Sequence, residues 1–140
     1  MYEAIIGFQD YSKWNRFVQN VKAVNGSLQH PVVNMEMSFD SAGLLGPFNA
    51  TSKEIITYLQ PGKDYAVAAW KFDDSLSGYF QEAEHPNILT ATEDGTATRY
   101  VSYESYYGLG ALPTALLVGN LRKQFAVQAD DLKAYVESQI

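Results

Sequence analysis

The chain contains no cysteine. That excludes a disulfide framework, a thiol nucleophile and a thiolate metal site. It has only two histidines, His30 and His85, which leaves too few ligands of that kind for a metal centre. Ten basic residues lie scattered through a chain of net charge −6. Without a basic face to displace counterions, neither nucleic acid nor an anionic membrane surface is an expected partner. No apolar run approaches the about 18 residues that a spanning helix needs. The start, Met1 to Phe8, lacks the basic region and long apolar stretch of a signal peptide. The reading is a soluble, intracellular protein of the cytoplasm.

What is present is an ordinary globular composition, 46% hydrophobic and 19% charged, in 140 residues, which suits one domain with a sizeable core. Residues 2–8 form a short apolar element, and Gly7 to Asp10 breaks it before a second short helix over 10–17 that Asp10 would cap. Tyr11, Trp14 and Phe17 fall on one face of that helix and must be buried. Strands follow over 18–24 and 32–39, the second with Val33, Met35, Met37 and Phe39 on one side. Residues 41–47 read as a loop whose Leu44 and Leu45 either tuck into a core or guard a pocket mouth. Strands over 51–59 and 64–72 are joined at Pro61-Gly62, a type II turn signature. A further loop covers 73–78, with a strand from about Tyr79. Pro113 suits the first turn of a long helix over 112–138, with a possible kink at Gly119-Asn120. Its stripe comprises Leu117, Leu121, Phe125, Gln128, Leu132 and Val136.

The stretch from His85 to Gly108 reads as one long hairpin about Asp94-Gly95, a favoured pair for a type I′ turn. With those two residues as the loop, Leu89 faces Tyr100, Asn87 faces Ser102 and His85 faces Glu104. Alternation puts these pairs on one side. An imidazole opposite a carboxylate, beside an amide, a hydroxyl and a phenol, suggests a pocket wall.

The motifs Phe8-x-x-Tyr11-x-x-Trp14-Asn15-x-Phe17, Trp70, and His85 with Asp94-Gly95, Tyr100, Glu104 and Gly108 span nearly the whole chain. Together they resemble the START-like superfamily, also called SRPBCC or helix-grip proteins, and especially its polyketide cyclase/dehydrase group. The resemblance implies an α+β fold in which a curved antiparallel sheet of six to seven strands wraps a long C-terminal helix. Two short N-terminal helices precede it, and a hydrophobic cavity lies between the layers. Residues 1–140 would form that single domain. Relatives begin with a strand of about ten residues that is absent here, and a missing strand would leave an open sheet edge for a homodimer partner. Arg16 stands where many relatives have proline, and Gln29-His30-Pro31 replaces a glycine-containing step. Both departures bear on the cavity entrance.

Two residues are the candidates for chemistry. His85 would act as acid and base, and Glu104 would orient it and raise its pKa toward neutrality. Tyr100, Asn87 and Ser102 would place the substrate, and by parity Tyr106 shares their side while Tyr103 faces away. Met35, Met37, Phe39 and Val67 would supply soft apolar walls, closed by Leu121 and Phe125 of the helix. The function expected is a cofactor-independent enzyme of secondary metabolism, a cyclase or dehydratase of the lyase or isomerase class acting on a small hydrophobic molecule. Orientation alone could supply about 7–11 kcal/mol of its acceleration. The alternatives are non-catalytic binding of a lipid, hormone or quinone in the same cavity, and a structural protein with a filled core.

Overall fold

The computed structural model describes residues 1–73, 81–109, 111 and 115–140. A short helix α1 (Tyr2–Ile6) leads through Gly7 into a 3-10 turn, Phe8–Lys13. The second element is therefore shorter and tighter than a helix over 10–17. Asp10 lies inside it, where its carboxylate pairs with Lys13 instead of capping. The expected aromatic face is buried: Tyr11 donates a hydrogen bond to the Ile5 carbonyl, and Trp14 stacks on Tyr135. Asn15 then accepts bonds from the amides of Phe17 and Val18 through Oδ1, which turns the chain into the first strand.

Seven strands form one antiparallel sheet: β1 (Val18–Ala23), β2 (Glu36–Leu45), β3 (Phe48–Gln60), β4 (Tyr65–Asp73), β5 (Glu82–Thr92), β6 (Ala97–Ser102) and β7 (Ser105–Tyr107). Their order is β1-β2-β3-β4-β5-β6, with β7 also pairing β5, so β1 forms one edge of an open meander and β6 with β7 the other. The strand expected over 32–39 starts only at Glu36. Asn34 sits at φ 69°, a left-handed conformation that ends any extended run, and Val32 and Val33 are left exposed. The expected loop over 41–47 is instead the end of β2 and a tight turn at Gly46-Pro47, with Gly46 at φ 67° and Leu45 paired to Phe48. Gly62 does not take the positive φ that a type II turn requires, so Pro61-Gly62 belongs to a wider connection.

The hairpin register holds along its length. Asp94 (φ 58°, ψ 29°) and Gly95 (φ 85°) match a type I′ turn, and Leu89 pairs with Tyr100 and Asn87 with Ser102. Glu84 pairs with Ser105 in the same register, which leaves His85 opposite Glu104.

After a 3-10 turn at Ala115–Leu117, helix α2 (Val118–Glu137) runs along the sheet and touches β2 and α1. Its buried residues Leu121, Gln128 and Leu132 follow the expected stripe, and Gly119-Asn120 falls in its first turn. Arg16 clamps it by a bidentate bond to Asp131, whose Oδ2 also accepts the Arg16 amide. Between helix and sheet lies a core of Phe8, Met35, Met37, Ile56, Trp70 and Leu132. The loop expected over 73–78, the strand start at Tyr79 and the placement of Pro113 lie outside the described residues, apart from Asp73 at the end of β4. No helix among the described residues is long and apolar enough to cross a membrane.

Candidate functional site

A cavity of about 290 Å³ opens between α2 and the sheet, lined from β2, β3, β4, β5 and β7. Strand alternation selects its wall. In β5 the buried positions are Ala83, His85, Asn87 and Leu89, and the first two reach the cavity. In β3, Ser52 and Glu54 reach it in phase with the fully buried Ile56. Phe39 and Ser41 of β2, Trp70 and Phe72 of β4, and Leu121 and Phe125 of α2 also line it. Leu44 and Leu45 stand at its edge, where the sequence left them as one of two outcomes.

His85 packs against Trp70 at 5.2 Å and Phe125 at 4.8 Å between ring centroids. Removed from water, its imidazole is pushed down to a pKa of about 4. The carboxylate expected to raise it makes a different contact: Glu104 accepts a hydrogen bond from the hydroxyl of Tyr106, two residues along the same strand direction. His85 Nε2 instead meets Ser102 Oγ at 2.6 Å. The two residues share a cavity wall, but hydrogen bonding does not join them. The expectation of a raised imidazole pKa is thus reversed by burial.

Glu54 is the site residue that the sequence reading missed. Desolvation pushes its carboxyl up to about 8, with Ser52 opposing, and the nearby charge of Glu104 adds to the rise. Burial likewise raises Glu104, with Tyr106 opposing. A glutamate in phase with Ile56 on the inward face was the signal available in the sequence. No lysine or arginine is among the described residues of the wall.

Of the other candidates, Tyr106, Phe39, Leu121 and Phe125 line the cavity. Asn87, Tyr100 and Ser102 lie behind the wall in a polar cluster: the Tyr100 hydroxyl donates to Asn87 Oδ1 at 2.7 Å, and burial takes its pKa up to about 12, with Ser102 and Gln128 opposing. Met35 and Met37 are packed into the core instead of the wall. Val67 is also outside the wall, because it alternates with the inward Ala66, Ala68 and Trp70 and so points to the other face. Tyr103 is exposed, as parity requires. No group of three or more His, Asp or Glu among the described residues is placed to hold a metal ion.

The fold has a solved counterpart. The crystal structure of the hypothetical protein jhp0584 from Helicobacter pylori is similar to this chain with a TM-score of 0.75 and 15% sequence identity, over 96% of this chain and 77% of that one. At that identity the likeness concerns the fold alone. No family description and no curated protein matches the sequence.

Proposed function

We propose that the chain is a cofactor-independent enzyme that holds a small, mainly apolar molecule in the cavity and moves a proton on it, as a polyketide cyclase or dehydratase would. The observation that carries this reading is that one cavity pushes two groups in opposite directions. Glu54 stays protonated to about pH 8 and His85 stays neutral down to about pH 4. Near neutrality the cavity therefore holds a hydrogen-bond acid and a free base together, the arrangement that acid–base chemistry needs. In an enolisation, His85 would accept the proton from the carbon beside a carbonyl while the Glu54 carboxyl hydrogen-bonds the carbonyl oxygen, where charge develops. The enolate so formed, held by the Glu54 hydrogen bond, is the nucleophile for ring closure or the start of water elimination. Apolar walls from Phe39, Trp70 and Phe125 would hold the reacting conformer.

The same low pKa favours a second reading, since an imidazole at about 4 is a weak base. A cavity used only for binding would also keep its polar groups uncharged.

Exchange of the protons flanking the carbonyl of 2-tetralone in heavy water, followed by NMR, separates the two readings. Catalysis predicts exchange faster than in buffer, lost in His85→Phe and slowed in Glu54→Gln with tetralone binding retained. Binding without acceleration in the wild type overturns the enzymatic reading and supports the binding one.

A further inference from the structure

Two cross-strand rows make the floor of the cavity. Glu54 pairs with Phe72, Phe72 with Ala83 and Ala83 with Tyr106, so one row crosses β3, β4, β5 and β7. The next row holds Ile56, Trp70 and His85, and Glu104 stands opposite His85 in the same register. Paired residues share a face of the sheet. The floor is therefore aromatic, with Glu54 at one side and Glu104 at the other, and the small Ala83 between Phe72 and Tyr106 leaves space above it. The Tyr106 hydroxyl already donates to Glu104. Glu54 is different: it is 6% exposed, faces the cavity and has no hydrogen bond among the described residues. No ion pair reaches either carboxyl among those residues, and the described wall holds no lysine or arginine that could supply one. Negative charge placed in this cavity has only rings and uncharged groups of the protein around it.

We propose that the cavity takes a molecule with an apolar body and one ammonium group, the ammonium held between the carboxyls of Glu54 and Glu104 and the body laid against Trp70, Phe72 and Phe125. This rests on the reading of the cavity as a ligand site and names the ligand's polar end. Glu104, stabilised as a carboxylate by the Tyr106 hydroxyl, carries the charge that pairs with the cation. Glu54 accepts a further N–H, which a carboxyl can do through its carbonyl oxygen even while protonated. The faces of the surrounding rings attract a cation as well, Trp70 most strongly. A neutral ligand leaves the Glu104 charge unpaired in an apolar space, and that cost is what separates the two classes. An inorganic cation is a poor fit, because calcium or magnesium needs about six oxygen ligands and the described residues bring no third acidic group or histidine into place beside the two carboxyls.

Calorimetric titration at neutral pH compares 2-naphthylmethylamine, which is charged there, with 2-naphthylmethanol, which has nearly the same shape and no charge. The amine should bind about tenfold more tightly and should displace the alcohol, which locates it in the cavity of the wild-type protein without recourse to a variant. The preference should vanish in Glu104→Gln and shrink in Glu54→Gln, with alcohol binding retained as the sign of an intact cavity. Equal affinities, tighter binding of the alcohol, binding of neither, or an amine that binds without displacing the alcohol overturns the proposal. So does a preference that survives Glu104→Gln. An amine preference without tetralone exchange supports this ligand class while the catalytic reading fails, and tetralone exchange with no amine preference does the reverse.

Discussion

Glu54 on β3 and Glu104 beyond β6 occupy one apolar cavity, close enough for the charge of Glu104 to oppose the ionisation of Glu54. Glu54 is only 6% exposed, so the fold resists the ionisation of its carboxyl. The consequence is a pH dependence with a definite sign. The folded-state pKa of Glu54, about 8, lies above its ordinary 4.5, so its contribution to stability is complete below about 4.5 and is lost as pH rises toward 8. His85 behaves oppositely: its pKa of about 4 lies below 6.5, so stability falls as pH drops through that interval. The two slopes oppose one another between 4.5 and 6.5.

Glu54→Gln should therefore raise stability at pH 8 by a few kcal/mol, since each pKa unit corresponds to about 1.4 kcal/mol, and leave stability at pH 5 little changed. Urea unfolding at the two pH values checks this. A variant as pH-sensitive as the wild type between 6.5 and 8 would show that Glu54 ionises freely in the fold.

Asp131 is the acceptor for both the side chain and the amide of Arg16. Asp131→Ala removes every one of these bonds, whereas Arg16→Ala keeps the bond from the backbone. Thermal unfolding should rank Asp131→Ala as the more damaging of the two, and the opposite order would refute the clamp.

Leu132 is 1% exposed where α2 meets the core of Phe8, Met37 and Trp70. Leu132→Ala leaves a void among large rings that have little room to collapse. A loss of about 2–5 kcal/mol is expected in chemical denaturation; a loss below about 1 kcal/mol would mean that the helix is not seated on this core.

Gly62 and Gly46 should respond differently to alanine. A Cβ on Gly62 would stand 2.1 Å from the Tyr65 carbonyl oxygen, which is backbone and cannot swing aside. At Gly46 there is open space and the cost is the left-handed φ of 67°, about 1–2 kcal/mol. Differential scanning calorimetry should find Gly62→Ala the less stable variant.

Local rules made part of this protein legible in its sequence. The Asp94-Gly95 turn fixed a register that is the same in β6 and in β7, on either side of the unpaired Tyr103-Glu104, and the stripe on α2 identified Leu121, Gln128 and Leu132 as its buried face. Both follow from periodicity, which depends only on spacing along the chain. Periodicity failed at Val32–Met35, where the left-handed Asn34 breaks an apparently clean alternation. It also failed to separate Met37, deep in the core, from Phe39, two residues further along the same strand face and in the cavity wall.

The sequence by itself determined which residues are neighbours across the hairpin. His85 and Glu104 oppose one another because backbone pairing admits no other register once the turn is set. Tertiary structure alone decided what those neighbours do. Trp70 and Phe125, brought in from β4 and α2, strip water from the imidazole and lower its pKa. Tyr106 takes Glu104, Ser102 takes His85, and β3 delivers Glu54 to the same space. Register is a property of two strands, whereas a pKa or a hydrogen-bond choice depends on everything packed around the group.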